Sequence, residues 1–138
     1  MHPTTSQGGE LAVASVQRLE MIDLTGRLHQ IVATCCIQEG IVHLYNPHTT
    51  AGLLINEGAD PDVQRDILGA LDQMTPSRYP YRHAEGNSPA HLMSALTGAT
   101  ATVFIHQGRL RLGTWQRIFF CEFDGPRDRQ VWWKIIAG

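Results

Sequence analysis

The sequence predicts an α+β fold: a single domain, largely an antiparallel β-sandwich or sheet, carrying two main helices. Three observations predict it. Period-two patterning dominates the C-terminal third, and residues 114–123 are apolar at both parities, as a strand covered on both faces must be. Two earlier segments, 26–38 and 61–75, instead repeat their apolar residues at three-and-four spacing. The two kinds of segment do not alternate regularly, which fits a largely antiparallel sheet better than a doubly wound fold. The chain has 138 residues, 43% hydrophobic and 17% charged, which suits one packed core rather than a disordered polymer.

Residues 1–10 read as a flexible, polar lead-in, and 11–138 as the domain. Residues 11–20 are a plausible first strand. Thr25 is placed to cap a helix over 26–38 with Leu28, Ile31, Val32 and Cys35 on one face, and Gly40 ends it. Strands are expected at 41–46 and 51–56. Asp60 is a good N-cap for the next helix, with Pro61 at its first position and Asp62 at its positive end. Val63, Ile67, Leu71 and Met74 form its apolar stripe, and Pro76 and Pro80 mark its exit. A long loop over 76–90 leads to a short helix at 90–97, ended by Gly98. Strands follow at 100–106 and 109–112, joined at Gly108, then at 114–123 and 130–136. In the 114–123 strand, Trp115, Phe119, Cys121 and Phe123 share one face and Ile118 and Phe120 the other.

Several function classes are disfavoured. The formal net charge of −2 offers no basic field for a phosphate backbone, so no nucleic-acid partner is expected. A small phosphorylated substrate needs only two or three local donors and stays open. No apolar run approaches the ~18 residues of a membrane span, and the N-terminus has no secretory pattern. The three cysteines are odd in number and lack a C-x-x-C, which fits neither a disulfide framework nor a cysteine zinc site. A reducing cytoplasm is the expected compartment.

The candidates for chemistry lie where regular elements break. Of seven histidines, His29, His43 and His106 fall within regular elements and read as structural, and His2 lies in the lead-in. His48, His83 and His91 fall in or beside loops, where imidazoles from rigid edges can converge on a metal. Glu57 ends a strand just before a helix and is placed to face the same end of the sheet as His48. Glu122 falls by alternation on an otherwise apolar face. A buried carboxylate there needs either a cation or an internal ion pair, to Arg127 or Arg129. Thr49 and Thr50 offer hydroxyls and backbone N–H groups to an anion. Arg127 and Arg129 either fork onto a phosphate or form a solvated turn. Cys121 points inward, where a thiol is inert packing.

The stretches "NPHTTAGLLINEGADPDV", "YRHAEGNSPAHLMSALTG" and "GRLRLGTWQRIFFCEFDGPRDR", in that order and spacing, resemble the YjbQ family of proposed secondary thiamine-phosphate synthases. The resemblance runs from about residue 38 to the C-terminus. It implies a YjbQ-like α+β sandwich that assembles as a homotrimer around a histidine-rich, metal-binding site. The implied activity joins a hydroxymethylpyrimidine pyrophosphate to a thiazole phosphate. Carried over residue by residue, His48, Glu57 and Glu122 are the catalytic candidates. Thr49, Thr50, Asn56, Trp115, Gln116 and Arg127 are the substrate-binding ones, and His48, His83 and His91 the metal ligands. A divalent metal is expected. Magnesium suits pyrophosphate but prefers oxygen ligands, whereas three histidines favour zinc. That conflict keeps two alternatives in view: a metal-dependent hydrolase, and a non-catalytic trimer that binds a metal or anion.

Overall fold

The computed structural model describes residues 6–138. His2 and the first five residues of the expected lead-in lie outside the described residues. The chain forms β1 (Ser6–Ala14), β2 (Glu20–Asp23), α1 (Thr25–Cys35), β3 (Glu39–Tyr45), β4 (Ala51–Glu57), α2 (Pro61–Met74), α3 (Ser88–Thr97), β5 (Thr100–His106), β6 (Arg109–Leu110), β7 (Gln116–Glu122) and β8 (Asp128–Ala137). A five-stranded sheet runs in the order β1-β8-β3-β5-β6, and a three-stranded sheet in the order β2-β7-β4. Every pairing is antiparallel.

The strand patterns explain the layers. Leu11, Val13, Val42, Leu44, Val131 and Ile135 face inward from the large sheet and meet Leu53, Ile118 and Phe120 of the small one. Helix α1 drives Leu28, Val32 and Cys35 into the same core. The opposite parity of β7 places Phe119, Cys121 and Phe123 beneath Ala90 and Met93 of α3, with Leu68 and Leu71 of α2 alongside. Strand β7 is therefore covered on both faces, as its apolar run requires. Burial pushes the Cys121 thiol up to about 12, so it is inert packing.

Several boundaries differ from the expected ones, each for a local reason. Strand β1 begins at Ser6, so residues 6–10 of the expected lead-in pair with β8. It stops at Ala14 because the carboxylate of Glu20 binds the Val16 and Gln17 N–H groups and folds 15–19 into a turn. Thr25 does not cap α1. The Asp23 carboxylate accepts from its N–H, and its own hydroxyl accepts from the Ile118 N–H of β7. Helix α1 ends at Cys36 in the left-handed region, φ 57°. Gly40 lies within β3, where a Cβ would collide with the Ile136 carbonyl. Gln107 and Gly108 both take positive φ, the two-residue turn that closes a β5–β6 hairpin. Helix α3 starts two residues early at Ser88 and is a third full helix. Asp60 does cap α2, accepting from Asp62 N–H at 2.9 Å, but Met74 is 64% exposed and lies off the packed stripe. Trp115 falls before β7 and is 63% exposed, not on the face of Phe119. Among the described residues, no helix is long and apolar enough to cross a membrane.

Candidate functional site

The loop after β3 is held by one side chain. Asn46, 2% exposed, donates through Nδ2 to the carbonyls of His48 (3.2 Å) and Ala51 (2.9 Å). Its Oδ1 accepts from the His48 N–H at 2.9 Å. Pro47 has no N–H to satisfy. This fixes His48 beside β8, just past the last β3–β8 pair, Tyr45–Trp132. There the imidazole takes the place of a ladder partner. Its Nε2 lies 2.9 Å from the Gln130 nitrogen and 3.1 Å from the Gln130 carbonyl oxygen, and the ring meets Phe120 edge-on at 6.4 Å. Burial first, and the Arg129 charge second, push the His48 pKa below its ordinary value, against the Gln130 contact and the Glu122 carboxylate.

Glu122 is fully buried and fully paired. Oε1 accepts from Ser15 Oγ (2.7 Å) and Arg129 Nε (2.9 Å), and Oε2 from Arg129 Nη2 and the Asp124 N–H. Burial works against its ionisation, but these donors, Arg129 above all, hold it below the usual glutamate range. Of the two explanations left open, the internal ion pair holds, and its partner is Arg129. The same guanidinium donates to Thr50 Oγ1 at 2.9 Å, so that hydroxyl is turned to the core and only Thr49 of the pair is exposed. Arg127 instead pairs with Asp124 at 2.9 Å, half exposed on the turn.

The remaining candidates lie elsewhere. In the β4–β7 pairing, Ala51 stands opposite Glu122 at one end and Glu57 opposite Gln116 at the other. At ~3.3 Å of rise per residue, the two ends are about 20 Å apart. Asn56, Glu57, Trp115 and Gln116 gather at the far end, so Glu57 does not share an end with His48. There Glu57 braces the turn into α2 through the Asp60 N–H, and Gln116 accepts from the Gly113 N–H at 2.8 Å.

Helix α3 brings the other histidines toward His48. Ser94 Oγ donates to the Ala51 carbonyl at 2.7 Å, and Gly52 leaves room for Thr97 against β4. One turn earlier, His91 packs edge-to-face on His83 with ring centroids 5.2 Å apart, and Glu85 lies 3.8 Å from His83. These three positions do not form an ion shell with His48, whose Nε2 is already engaged. Among the described residues, no group of three or more His, Cys, Asp or Glu is placed to hold a metal. The expected three-histidine set therefore does not assemble within one chain. His43 and His106 take structural partners, Thr102 at 2.6 Å and Glu39 at 3.0 Å.

What the arrangement does create is a pair of recesses. One, of about 480 Å³, is lined by Asn46, His48, Thr49, His91, Ser94 and Gly98. The other, of about 550 Å³, is lined by Tyr79, Tyr81, Arg82, His83, His91 and Leu92. His91 belongs to both. Sequence reasoning missed Asn46 and Ser15. Asn-Pro after a strand signals a turn but not which groups its amide will bind. Ser15 bonds residues over a hundred positions away, a contact no local pattern announces.

A family described as "UPF0047 protein YjbQ-like" matches residues 9–138. The chain is 46% identical over 121 residues to the UPF0047 protein MJ1081 of Methanocaldococcus jannaschii, covering 88% of each chain. It is 46% identical to the UPF0047 protein YugU of Bacillus subtilis, covering 92% of this chain and 97% of that one. The crystal structure of an uncharacterised YjbQ/UPF0047 protein from Clostridium acetobutylicum superposes with TM-score 0.89 at 46% identity, covering 92% and 98% of the two chains. That of a YbjQ-like protein of unknown function from Sulfolobus solfataricus gives TM-score 0.91 at 30% identity, covering 96% and 98%.

Proposed function

Because the chain belongs to the YjbQ-like UPF0047 family, we propose that it is a small-molecule transferase of the thiamine-phosphate synthase type. It joins a hydroxymethylpyrimidine pyrophosphate to a thiazole phosphate and releases pyrophosphate. The observation that carries this reading is His91, one side chain of α3 that lines two recesses at once. Two small substrates meeting at a shared wall suit a condensation, whereas hydrolysis of one phosphoester needs a single pocket and an activated water.

The chemistry asks little of a base. The thiazole nitrogen donates its lone pair to the pyrimidine methylene carbon, and the carbon–oxygen bond breaks with both electrons leaving on pyrophosphate. That nitrogen carries no proton, so none need be removed. The demand is for donors to the departing anion. His48 and the exposed Thr49 line the recess that would meet this demand. Both catalytic carboxylates of the initial expectation are committed elsewhere, Glu122 to Arg129 and Glu57 to the far end of β4. A hydrolase would miss them, and a transferase does not.

The reading includes a cytoplasmic homotrimer. An apolar outer face on the five-stranded sheet supports assembly: Tyr45, Phe104, Trp132 and Ile136 are each more than 40% exposed, and Tyr45 stacks on Trp132 at 5.7 Å. The test is incubation of purified protein with both substrates, with thiamine phosphate and pyrophosphate quantified together. Equimolar appearance of the two, reduced about a hundredfold in His91→Ala, is expected. Release of inorganic phosphate from simple phosphoesters without condensation would replace the reading with a hydrolase. Ligand binding with no turnover would leave a binding protein.

A further inference from the structure

We infer that the recess between loop 76–83 and α3 is a subsite for a planar heteroaromatic ring bearing a single phosphate. The loop is built to hold two aromatic rings still. Tyr79 and Tyr81 stand 5.0 Å apart with a 54° tilt. The Tyr81 N–H donates to the Tyr79 carbonyl, and its hydroxyl to the Pro76 carbonyl. Pro76 and Pro80 fix two further φ angles, so little conformational freedom remains to be lost when a ligand binds. Yet Tyr79 stays 63% exposed and Leu92 of α3 41% exposed, lining the same recess. His83 and His91, edge-to-face on each other, line the same recess. Aromatic walls of this kind favour a flat ring in offset or edge-on contact. The volume of about 550 Å³ is that of a small-molecule site.

Charge selects the ring's substituent. Arg18, Arg65, Arg117, Arg127 and Arg129 each have a carboxylate partner. Arg82, like Arg27, Arg78, Arg109 and Arg111, has none among the described residues, but it is the arginine that lines this recess, and the loop's carboxylate, Glu85, lies against His83. One unpaired guanidinium with its planar fork matches one phosphate. The subsite deepens the proposed transfer by naming which substrate docks here, the ring with one phosphate. It rests on that reading only for the ring's identity, since binding needs no turnover.

Titration calorimetry tests it with three probes: a thiazole monophosphate, the same thiazole alcohol without phosphate, and inorganic phosphate. The monophosphate should bind about tenfold or more tighter than either fragment. Arg82→Ala should bring it down to the alcohol's affinity. Tyr79→Ala should weaken both ring compounds and leave inorganic phosphate unchanged. Both side chains are exposed, so neither change tests folding instead. Equal affinity for the monophosphate in wild type and Arg82→Ala would overturn the subsite. Arg82-dependent binding without condensation would keep the subsite and sink the transferase reading. Condensation with an unaltered KM for the thiazole phosphate in Arg82→Ala would do the reverse.

Discussion

Replacing Arg129 with methionine keeps much of the side-chain volume and removes the counter-charge from Glu122. The carboxylate is 0% exposed, and Arg129 supplies donors to both its oxygens. Without them only the Ser15 hydroxyl and the Asp124 N–H remain. Breaking a buried pair by removing one partner costs about 3–5 kcal/mol, a large part of the ~5–15 kcal/mol that holds such a domain together. The pH dependence is more diagnostic than the loss itself. In the wild type the folded pKa of Glu122 is depressed. Its contribution is therefore present above the unfolded pKa of about 4.3 and lost as pH falls through the folded value. In Arg129→Met, burial is opposed only by the Ser15 hydroxyl and the Asp124 N–H, and it pushes the folded pKa above the unfolded one. Stability then falls as pH rises from the unfolded pKa through the folded one, at ~1.4 kcal/mol per unit of separation. Urea midpoints measured from pH 2 to 8 should slope in opposite directions for the two proteins, the wild type below about pH 4.3 and the variant above it, once the remaining titrations, common to both, are subtracted. Glu122→Leu combined with Arg129→Met should recover most of the loss, because no lone charge is left buried. A loss below about 1 kcal/mol with an unchanged pH slope would refute the account.

Other predictions follow from the same geometry. Asn46→Ala removes three hydrogen bonds within the loop and should cost about 2–3 kcal/mol in chemical denaturation, at roughly 1 kcal/mol per bond. The folded pKa of His48 lies below its unfolded value, so the stabilisation from the neutral ring is complete above the unfolded pKa of about 6.5 and declines as pH falls through the folded pKa. The decline should be absent in His48→Gln, followed by thermal unfolding between pH 5 and 8. Light scattering should give three times the 15.3 kDa of one chain, and Trp132→Glu, placed on the apolar sheet face, should give one. Elemental analysis addresses the expected metal. Stoichiometric zinc that disappears in His83→Ala would restore a metal centre to the proposal, assembled from more than one chain.

The fold was legible where a pattern is local and repeated. The β7 run announced a doubly covered strand because Phe119 and Phe120 cannot both be buried otherwise, and they face different cores. Asp60-Pro61 announced a helix start because capping chemistry is local. Glu122 was legible as an anomaly of parity. The same test on β8, where Arg129 shares a face with Val131 and Ile135, marks its partner. Thr25 misled because an N-cap threonine and a threonine bridging to another strand look alike in sequence. The distribution of the site was not legible at all. Neighbouring motifs along the chain, His48 and Glu57, sit at opposite ends of one strand, and only the register of β4 on β7 decides this.

That register bears on the chemistry. The sequence offers three candidate histidines and two candidate carboxylates, which invites an acid–base or metal mechanism. The fold separates them: one carboxylate is neutralised by Arg129, another is drawn about 20 Å away, and the imidazoles are left lining the recesses. The carboxylate nearest the recesses is Glu85, 3.8 Å from His83, and neither Glu57 nor Glu122 reaches them. The proposed transfer, which needs no proton abstraction, is compatible with that separation, and its demand falls on the hydrogen-bonding side chains that line the recesses.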